Sequence, residues 1–267
     1  MQRNNQKQIL QEMFIEQICK DCNCTFEDVC STENVFTPLY ALPGRRTFRD
    51  DDTLLKIICL NGKIICSAAE SVLSECEALF RGASGAWFSQ FSNLCKLEEV
   101  IAKEGYTINY AHHFYLPFGV ASVSEEQRKQ FADSVTLKWY EASEVDRFRG
   151  DKRYQYALSF LDRAPDMLAV TAEKDGEILG MCGVSRDSDI MWQIGIDVSP
   201  SARGQKIGPF LTMLMKEEVI KRGKLPFYGT AESHVQSQSV AVKSGFVPAW
   251  YELQTGRKNN GINLVFN

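Results

Sequence analysis

Residues 194–215 read IGIDVSPSARGQKIGPFLTMLM: an apolar run, a turn punctuated by proline and glycine, then an apolar helix. Ile207, Phe210, Leu211, Leu214 and Met215 fall at i, i+3, i+4, i+7 and i+8, the spacing of one buried helical face. Pro209 sits in the first turn, where a missing N–H is harmless. Lys221 and Arg222 suit the negative end of the helix, and Gly223 closes it. A strand that turns straight into a helix leaves the first N–H groups of that helix unpaired and partly positive. Gly204 and Gly208 let a ligand approach this backbone closely, and Arg203, Lys206 and Arg222 add positive charge. The pattern suits a phosphate or pyrophosphate, or it is a plain turn. It is not a P-loop, which needs Gly-Lys-Ser/Thr, nor a dinucleotide fingerprint, which needs G-x-G-x-x-G.

Working outward, Val135–Tyr140 reads as a strand and Lys152–Arg163 as a helix ended by Pro165. Met167–Glu173 and Ile178–Ser185 are strands joined through Asp175-Gly176, a hairpin signal. Ile190–Val198 is a strand, as is Pro226–Ala231. Ser237–Ser244 reads as a helix closed by Gly245, with Phe246 placed for the apolar contact of a Schellman ending. Val247–Leu253, with Ile262–Phe266, would finish a sheet. Upstream, the polar run SVSEEQRKQFAD (122–133) marks a boundary, which divides the chain into 1–130 and 131–267. The first part shows an apolar helix around Ile9, Met13 and Ile18, and a hairpin Leu54–Leu60/Lys63–Ala69 about Asn61-Gly62. Helices at Ser71–Phe80 and at Leu94–Glu104, stopped by Gly105, complete it. The expected fold is α/β: a mixed, mostly antiparallel sheet flanked by helices in 131–267, with a smaller α/β module before it.

The 267 residues are 44% hydrophobic and 24% charged, the profile of a folded protein rather than a disordered one. No apolar run reaches the ~18 residues that span a bilayer, and the polar start MQRNNQKQ is unlike a secretory leader. Nine cysteines, irregularly spread, suit reduced thiols in the cytoplasm. The net charge of −4 lacks the basic footprint of a nucleic-acid binder. Up to Asp133 there are 13 basic and 18 acidic residues, and from Ser134 onward 17 and 16. An acidic first part beside a near-neutral second part fits an anionic cofactor in the latter and a cationic, amine-rich acceptor; scattered surface charge is the plainer account.

The strand ending Ile196-Asp197-Val198, the loop Ser199–Ala202, the turn Arg203-Gly204-Gln205-Lys206-Ile207-Gly208 and, after a helix and a strand, Lys243-Ser244-Gly245-Phe246 resemble the GNAT superfamily of acyl-CoA-dependent N-acetyltransferases. The resemblance covers Val135 to Leu253. The two-part plan is similar to a bacterial group that includes the zwittermicin A resistance acetyltransferase. It implies that acetyl-CoA is the acyl donor and that no metal takes part. Pantetheine would lie along Ile196–Val198, and the pyrophosphate on the amides of Arg203, Gly204, Gln205, Lys206, Ile207 and Gly208. A small-molecule primary amine would attack the thioester directly, its carbonyl polarised by the Val198 N–H. The first part would wall the acceptor site and could serve a homodimer.

Two departures stand out. The first glycine of the family turn is Lys206 here, and the tyrosine that often protonates the leaving thiolate falls on Ala241. Glu232 could take the amine's proton, or be a solvated loop carboxylate. His234 could do the same, cap the following helix or contact the cofactor. Ser237 could donate to the thiolate, or be a simple first-turn residue. Asp197 could face either side of its strand. A CoA-binding sensor without turnover is the rival reading. Cys19, Cys22, Cys24 and Cys30 invite zinc, but cysteines scattered through apolar segments read as small core residues. His112-His113 would face opposite ways on a strand, and Trp87, Phe88 and Phe91 read as packing aromatics rather than a base-stacking platform.

Overall fold

A computed structural model of the protein describes residues 2–46, 52–119 and 122–258. In chain order the helices are α1 (Gln2–Cys22), α2 (Phe26–Cys30), α3 (Glu70–Phe80), α4 (Phe91–Ala102), α5 (Glu125–Ser134), α6 (Ala142–Val145), α7 (Ile207–Lys221) and α8 (Val235–Lys243). The strands are β1 (Val35–Pro38), β2 (Leu55–Leu60), β3 (Lys63–Ala68), β4 (Tyr106–Leu116), β5 (Thr136–Glu141), β6 (Asp166–Lys174), β7 (Glu177–Arg186), β8 (Met191–Val198), β9 (Leu225–Ala231) and β10 (Val247–Arg257). Most strand pairs are antiparallel; β1 runs parallel to β3, and β8 parallel to β9. The architecture is the mixed, mostly antiparallel α/β sheet with flanking helices that the sequence leads one to expect. The segment 262–266 lies outside the described residues.

Two compact units form. Of the described residues, 2–46, 52–114 and 249–258 make one, and 115–119 with 122–248 the other. This division differs from a cut at 130/131: the chain enters the second unit at Tyr115 and returns to the first at Ala249, within strand β10. The reason is local pairing. Residues 251–254 of β10 pair with Cys59–Lys56 of β2, so the last strand completes the first unit's sheet.

In the first unit the strand order is β1-β3-β2-β10-β4. Asn61 and Gly62, both at positive φ, make the tight β2–β3 hairpin. Every residue of β2 and β3 is buried, so both faces are covered. One core gathers Ile57, Ile64 and Leu253 with Val72 and Phe80 of α3 and Leu97 and Ile101 of α4. Phe88 packs edge-on against Phe80, whereas Trp87 and Phe91 are exposed. On β4, His112 lies beside Tyr110 and Phe114, while His113 meets Tyr251. All nine cysteines are free thiols, five of them buried, and burial alone pushes the Cys59 thiol up to about 12. Among the described residues no group of three or more His, Cys, Asp or Glu side chains is placed to hold a metal ion.

In the second unit the order is β9-β8-β7-β6-β5. The β6–β7 hairpin turns at Asp175-Gly176, both at positive φ. Helix α7 packs its apolar side chains on Val170, Cys182, Val184, Ile194 and Phe246. Helix α8 ends as a Schellman motif: Gly245 at φ +80°, the Phe246 N–H on the Ala241 carbonyl, and Phe246 buried. Two local expectations change. The polar stretch before Val135 is itself a helix, α5, started by a capping box in which Ser124 and Gln127 exchange bonds. The expected helix 152–163 is not there: only Lys152–Tyr154 makes a 3-10 turn, and Phe160 has a left-handed φ of +51°. Two strand carboxylates take this segment's amides instead. Asp197 accepts from Tyr156 and Ala157, each at 2.9 Å, and Asp166 accepts from Ser159 at 3.2 Å and Phe160 at 2.7 Å.

Candidate functional site

Strands β8 and β9 separate part-way along their length. Their parallel register runs from Met191↔Leu225 to Ile194↔Tyr228 and stops there, although β8 continues to Val198 and β9 to Ala231. On its other edge β8 stays paired with β7 as far as Val198↔Gly180. The Ser199 N–H bonds to the Leu179 carbonyl, which marks 199/179 as a hydrogen-bonded pair. In an antiparallel ladder such pairs alternate, so the backbone groups of Ile196 and Val198 point away from β7, towards the opening. Their side chains lie on the α7 face with the second unit's core.

Asp197 faces the other way. Its carboxylate holds the 156–157 backbone across the sheet, where Gly195 and Gly183 make room: a Cβ on either would lie about 2 Å from a carbonyl oxygen of that segment. Burial pushes the Asp197 carboxyl up, against the pull of its two N–H donors.

Beyond Val198, a single turn at Pro200–Ala202 leads into Arg203, Gly204, Gln205 and Lys206. Gly204 has φ +82° and Lys206, at the N-cap of α7, φ +64°. The family's turn glycine is thus replaced by a lysine that keeps the left-handed conformation. The amides of Gly204, Lys206, Ile207 and Gly208 donate to no acceptor among the described residues. Gly208 lies under the end of β8 and beside α8: a Cβ there would sit 3.3 Å from Val198 and 3.7 Å from Val240. Arg203 and Lys206 are exposed, without a carboxylate partner among the described residues. A cleft of about 270 Å³ adjoins the turn, lined by Gln130, Phe131, Ser134, Gly204, Gln205 and Lys206. Arg222 does not belong here. It caps the far end of the 15-residue α7, about 22 Å away, where Glu141 and Glu218 bind it.

Helix α8 flanks the opening. Lys216 of α7 donates to the Ser244 carbonyl at 2.6 Å, tying α8 to α7, and the Ser244 hydroxyl, which donates to the Val240 carbonyl at 2.8 Å, lies 3.2 Å from the Pro209 carbonyl at the start of α7. Ser237 is half-buried, with its Oγ 2.8 Å from the Tyr228 hydroxyl. Glu232 and His234 lie exposed in the turn between β9 and α8. The Glu232 carbonyl accepts from Gln238 Nε2 at 2.7 Å, and His234 holds the N-cap position of α8 without a side-chain capping bond. Ala241 is fully buried. Two residues not singled out in the sequence stand at the opening. Tyr228 forms the last in-register pair, and Thr230, two residues on and on the same face, has a buried hydroxyl with no partner among the described residues. Their alternation on a strand just ahead of Ser237 was the available signal.

Residues 125–246, a little under half of the chain, match the family model of the Acetyltransferase (GNAT) family. This match supports an acyl-CoA-dependent transferase domain with acetyl-CoA as its acyl donor. Among solved structures, the chain is similar to a GCN5-related N-acetyltransferase-like protein from Streptococcus suis, at 14% identity, covering 80% of this chain and 88% of that one, with a TM-score of 0.45. It is also similar to a GNAT-family acetyltransferase from Colwellia psychrerythraea, at 12% identity, with 79% and 84% covered and a TM-score of 0.43. A third likeness is to yncA from Salmonella typhimurium, solved with its cofactor acetyl-CoA, at 12% identity, with 48% and 96% covered and a TM-score of 0.34. No curated protein matches the chain. Among the described residues no helix is long and apolar enough to cross a membrane.

The residues present fit an acyl-CoA. The unpaired amides and two exposed cations of the turn suit a pyrophosphate. The open backbone of Ile196 and Val198, with the orphaned Thr230 hydroxyl, suits a chain of amides that itself needs hydrogen-bond partners.

Proposed function

We propose that the second unit transfers an acetyl group to a primary amine, with acetyl-CoA lying in the opening between β8 and β9. The observation that carries this reading is the continuity between the separated strand ends and the unpaired amides at the head of α7. In this reading Ile196 and Val198 hold the pantetheine arm, and the backbone from Arg203 to Gly208 holds the pyrophosphate, with Arg203 and Lys206 adding charge. The Val198 N–H polarises the thioester carbonyl, so that negative charge developing on oxygen meets a fixed donor. The thioester supplies an activated acyl carbon, and the amine attacks it without a covalent enzyme intermediate. Glu232, on the turn beyond β9, takes the proton the amine loses, and His234 contacts the cofactor beside it. The acidic character of the first part of the sequence favours a cationic acceptor.

Calorimetric titration with acetyl-CoA tests this directly. The intact protein should bind, and an Arg203→Glu/Lys206→Glu variant should bind at least tenfold more weakly, since both side chains are exposed and their reversal leaves the core untouched. Equal binding by the two proteins would remove the pyrophosphate from this turn.

A further inference from the structure

We infer that helix α5 carries the subsite for the adenosine end of the acyl donor, with the Gln130 side chain reading the adenine base. The inference rests on the reading of the turn at the head of α7 as the pyrophosphate site, and it gives a role to a helix whose sequence reads first as a boundary.

Helix α5 is fastened to α7. The Phe131 ring lies face to face with Phe210, their centroids 3.8 Å apart and their planes 4° from parallel. Arg128 pairs with Glu217 at 2.5 Å, and the same carboxylate accepts the Val123 N–H at 2.9 Å. So held, α5 sets its last turn, with Gln130 and Ser134 four residues apart on one face, against Gly204, Gln205 and Lys206, and the cleft of about 270 Å³ lies between them. That is below the roughly 300–1,000 Å³ that encloses a whole small ligand, and it suits one end of a longer one. Two residues of α7 fix its place. A Cβ on Gly208 would meet Val240 of α8 and Val198 at the end of β8, whereas Phe210 meets α5. Two residues on a helix are about 200° apart, so the cleft and the opening flank the head of α7 on opposite sides, with the turn between them. A donor with its acyl end in the opening and its pyrophosphate on the turn leads its nucleoside towards the cleft.

The chemistry of the lining favours a base over a further phosphate. Helix α5 ends here, and a helix C-terminus carries partial negative charge, which repels an anion and suits N–H and O–H donors. The Ser134 hydroxyl donates to the Phe131 carbonyl at 3.1 Å, and Gln205 Nε2 donates to the Ser201 carbonyl at 3.1 Å. Each side chain thus presents an oxygen with its lone pairs open, an acceptor for ribose hydroxyls. Gln130 differs, since its amide has no hydrogen-bond partner among the described residues. A carboxamide offers one donor and one acceptor side by side, the complement of N7 and the N6 amine of adenine. Phe131, backed by Phe210, supplies an aromatic surface for a flat base. Hypoxanthine, with a carbonyl oxygen in place of the N6 amine, would leave the Gln130 oxygen facing a second acceptor. Gln130 is therefore a specificity-determining residue, and it takes no part in the transfer itself.

Calorimetric titration of the full-length protein with CoA, and with the CoA analogue whose adenine is deaminated to hypoxanthine, tests this without an acceptor amine. The wild type should bind CoA about five- to tenfold more tightly than the analogue, the lower part of the discrimination that one bidentate pair gives. Gln130→Ala should bind CoA more weakly by about the same factor and should treat the two ligands alike. Gln130 is exposed, so the fold is untouched. Phosphopantetheine, which has no nucleoside, should bind the wild type and Gln130→Ala equally. If the wild type binds both coenzymes equally, or if Gln130→Ala keeps the preference, this inference falls and the acyl-CoA reading stands. Weaker phosphopantetheine binding by Gln130→Ala would put the side chain at the turn instead, and would overturn the inference in the same way. If CoA does not bind the wild type, both fall.

Discussion

Lys206 shows how much one backbone angle can say. A left-handed φ costs a residue with a Cβ roughly 1 kcal/mol relative to glycine, part of which glycine returns through its freer unfolded state. Lys206→Gly should therefore raise the urea midpoint by an amount worth about 0.5 kcal/mol, while acetyl-CoA binding weakens severalfold for want of the ammonium. An unchanged midpoint would mean that contacts of the lysine side chain offset the strain. The sequence shows that a lysine stands where the family turn has glycine; only the backbone shows that the conformation was retained. Tyr228 and Thr230 escaped notice for a different reason. Strand alternation places both on one face, but nothing local says that the neighbouring strand leaves them at Ile194.

At the scale of elements, the legible ones are those whose signals are local. Helix α7 carries its own periodicity, α8 its own glycine stop, and the hairpins at Asn61-Gly62 and Asp175-Gly176 their own turn chemistry. Helix α5 was equally legible through Ser124 and Gln127, though its polar composition reads first as a linker. The segment 152–163 was not, because Asp197 and Asp166 draw its amides from strands that follow it in sequence. Asp197→Ala would leave the Tyr156 and Ala157 amides unpaired against the sheet. The expected loss is about 2–3 kcal/mol, with faster hydrogen exchange at those two amides while the amides of α7 keep their protection. Uniformly faster exchange across the unit would show that Asp197 supports the sheet rather than the segment.

At the scale of the molecule, the first unit is held together by a buried ionic network. Arg46 pairs with Asp21 of α1 and, at 2.7 Å, with Glu252 of β10, while Lys56 of β2 lies 3.7 Å from Glu252. Trp250 donates its indole N–H to Glu252 at 2.9 Å. Burial would push the Glu252 carboxyl up, but Arg46 and Lys56 outweigh it and hold the group at about 2. A carboxyl lowered on folding stabilises the protein above its ordinary pKa, and that stability is lost as pH falls through the lowered value. Denaturant midpoints should accordingly fall between about pH 4.5 and 2, by the equivalent of roughly 3 kcal/mol. Glu252→Gln should lower stability at neutral pH, where Lys56 loses this counter-charge and Arg46 loses one of its carboxylate partners while keeping Asp21, and flatten most of this acid slope. A fragment of residues 1–130 lacks β10 and Glu252 altogether, and should show no cooperative unfolding by circular dichroism; a sharp transition would mean that the first unit does without its last strand.

The return of the chain at Ala249 also sets an order in time. As the protein emerges from the ribosome, β2 and its hairpin partner appear early, with their apolar faces formed but one edge waiting. Everything needed for the second unit is made before the strand that fills that edge. At 5–20 residues per second, the roughly 190 residues from Leu60 to Val247 keep it waiting for about 10–40 s. The part of the molecule encoded second can thus be finished first, and the part encoded first stays a client for chaperones until β10 has been made.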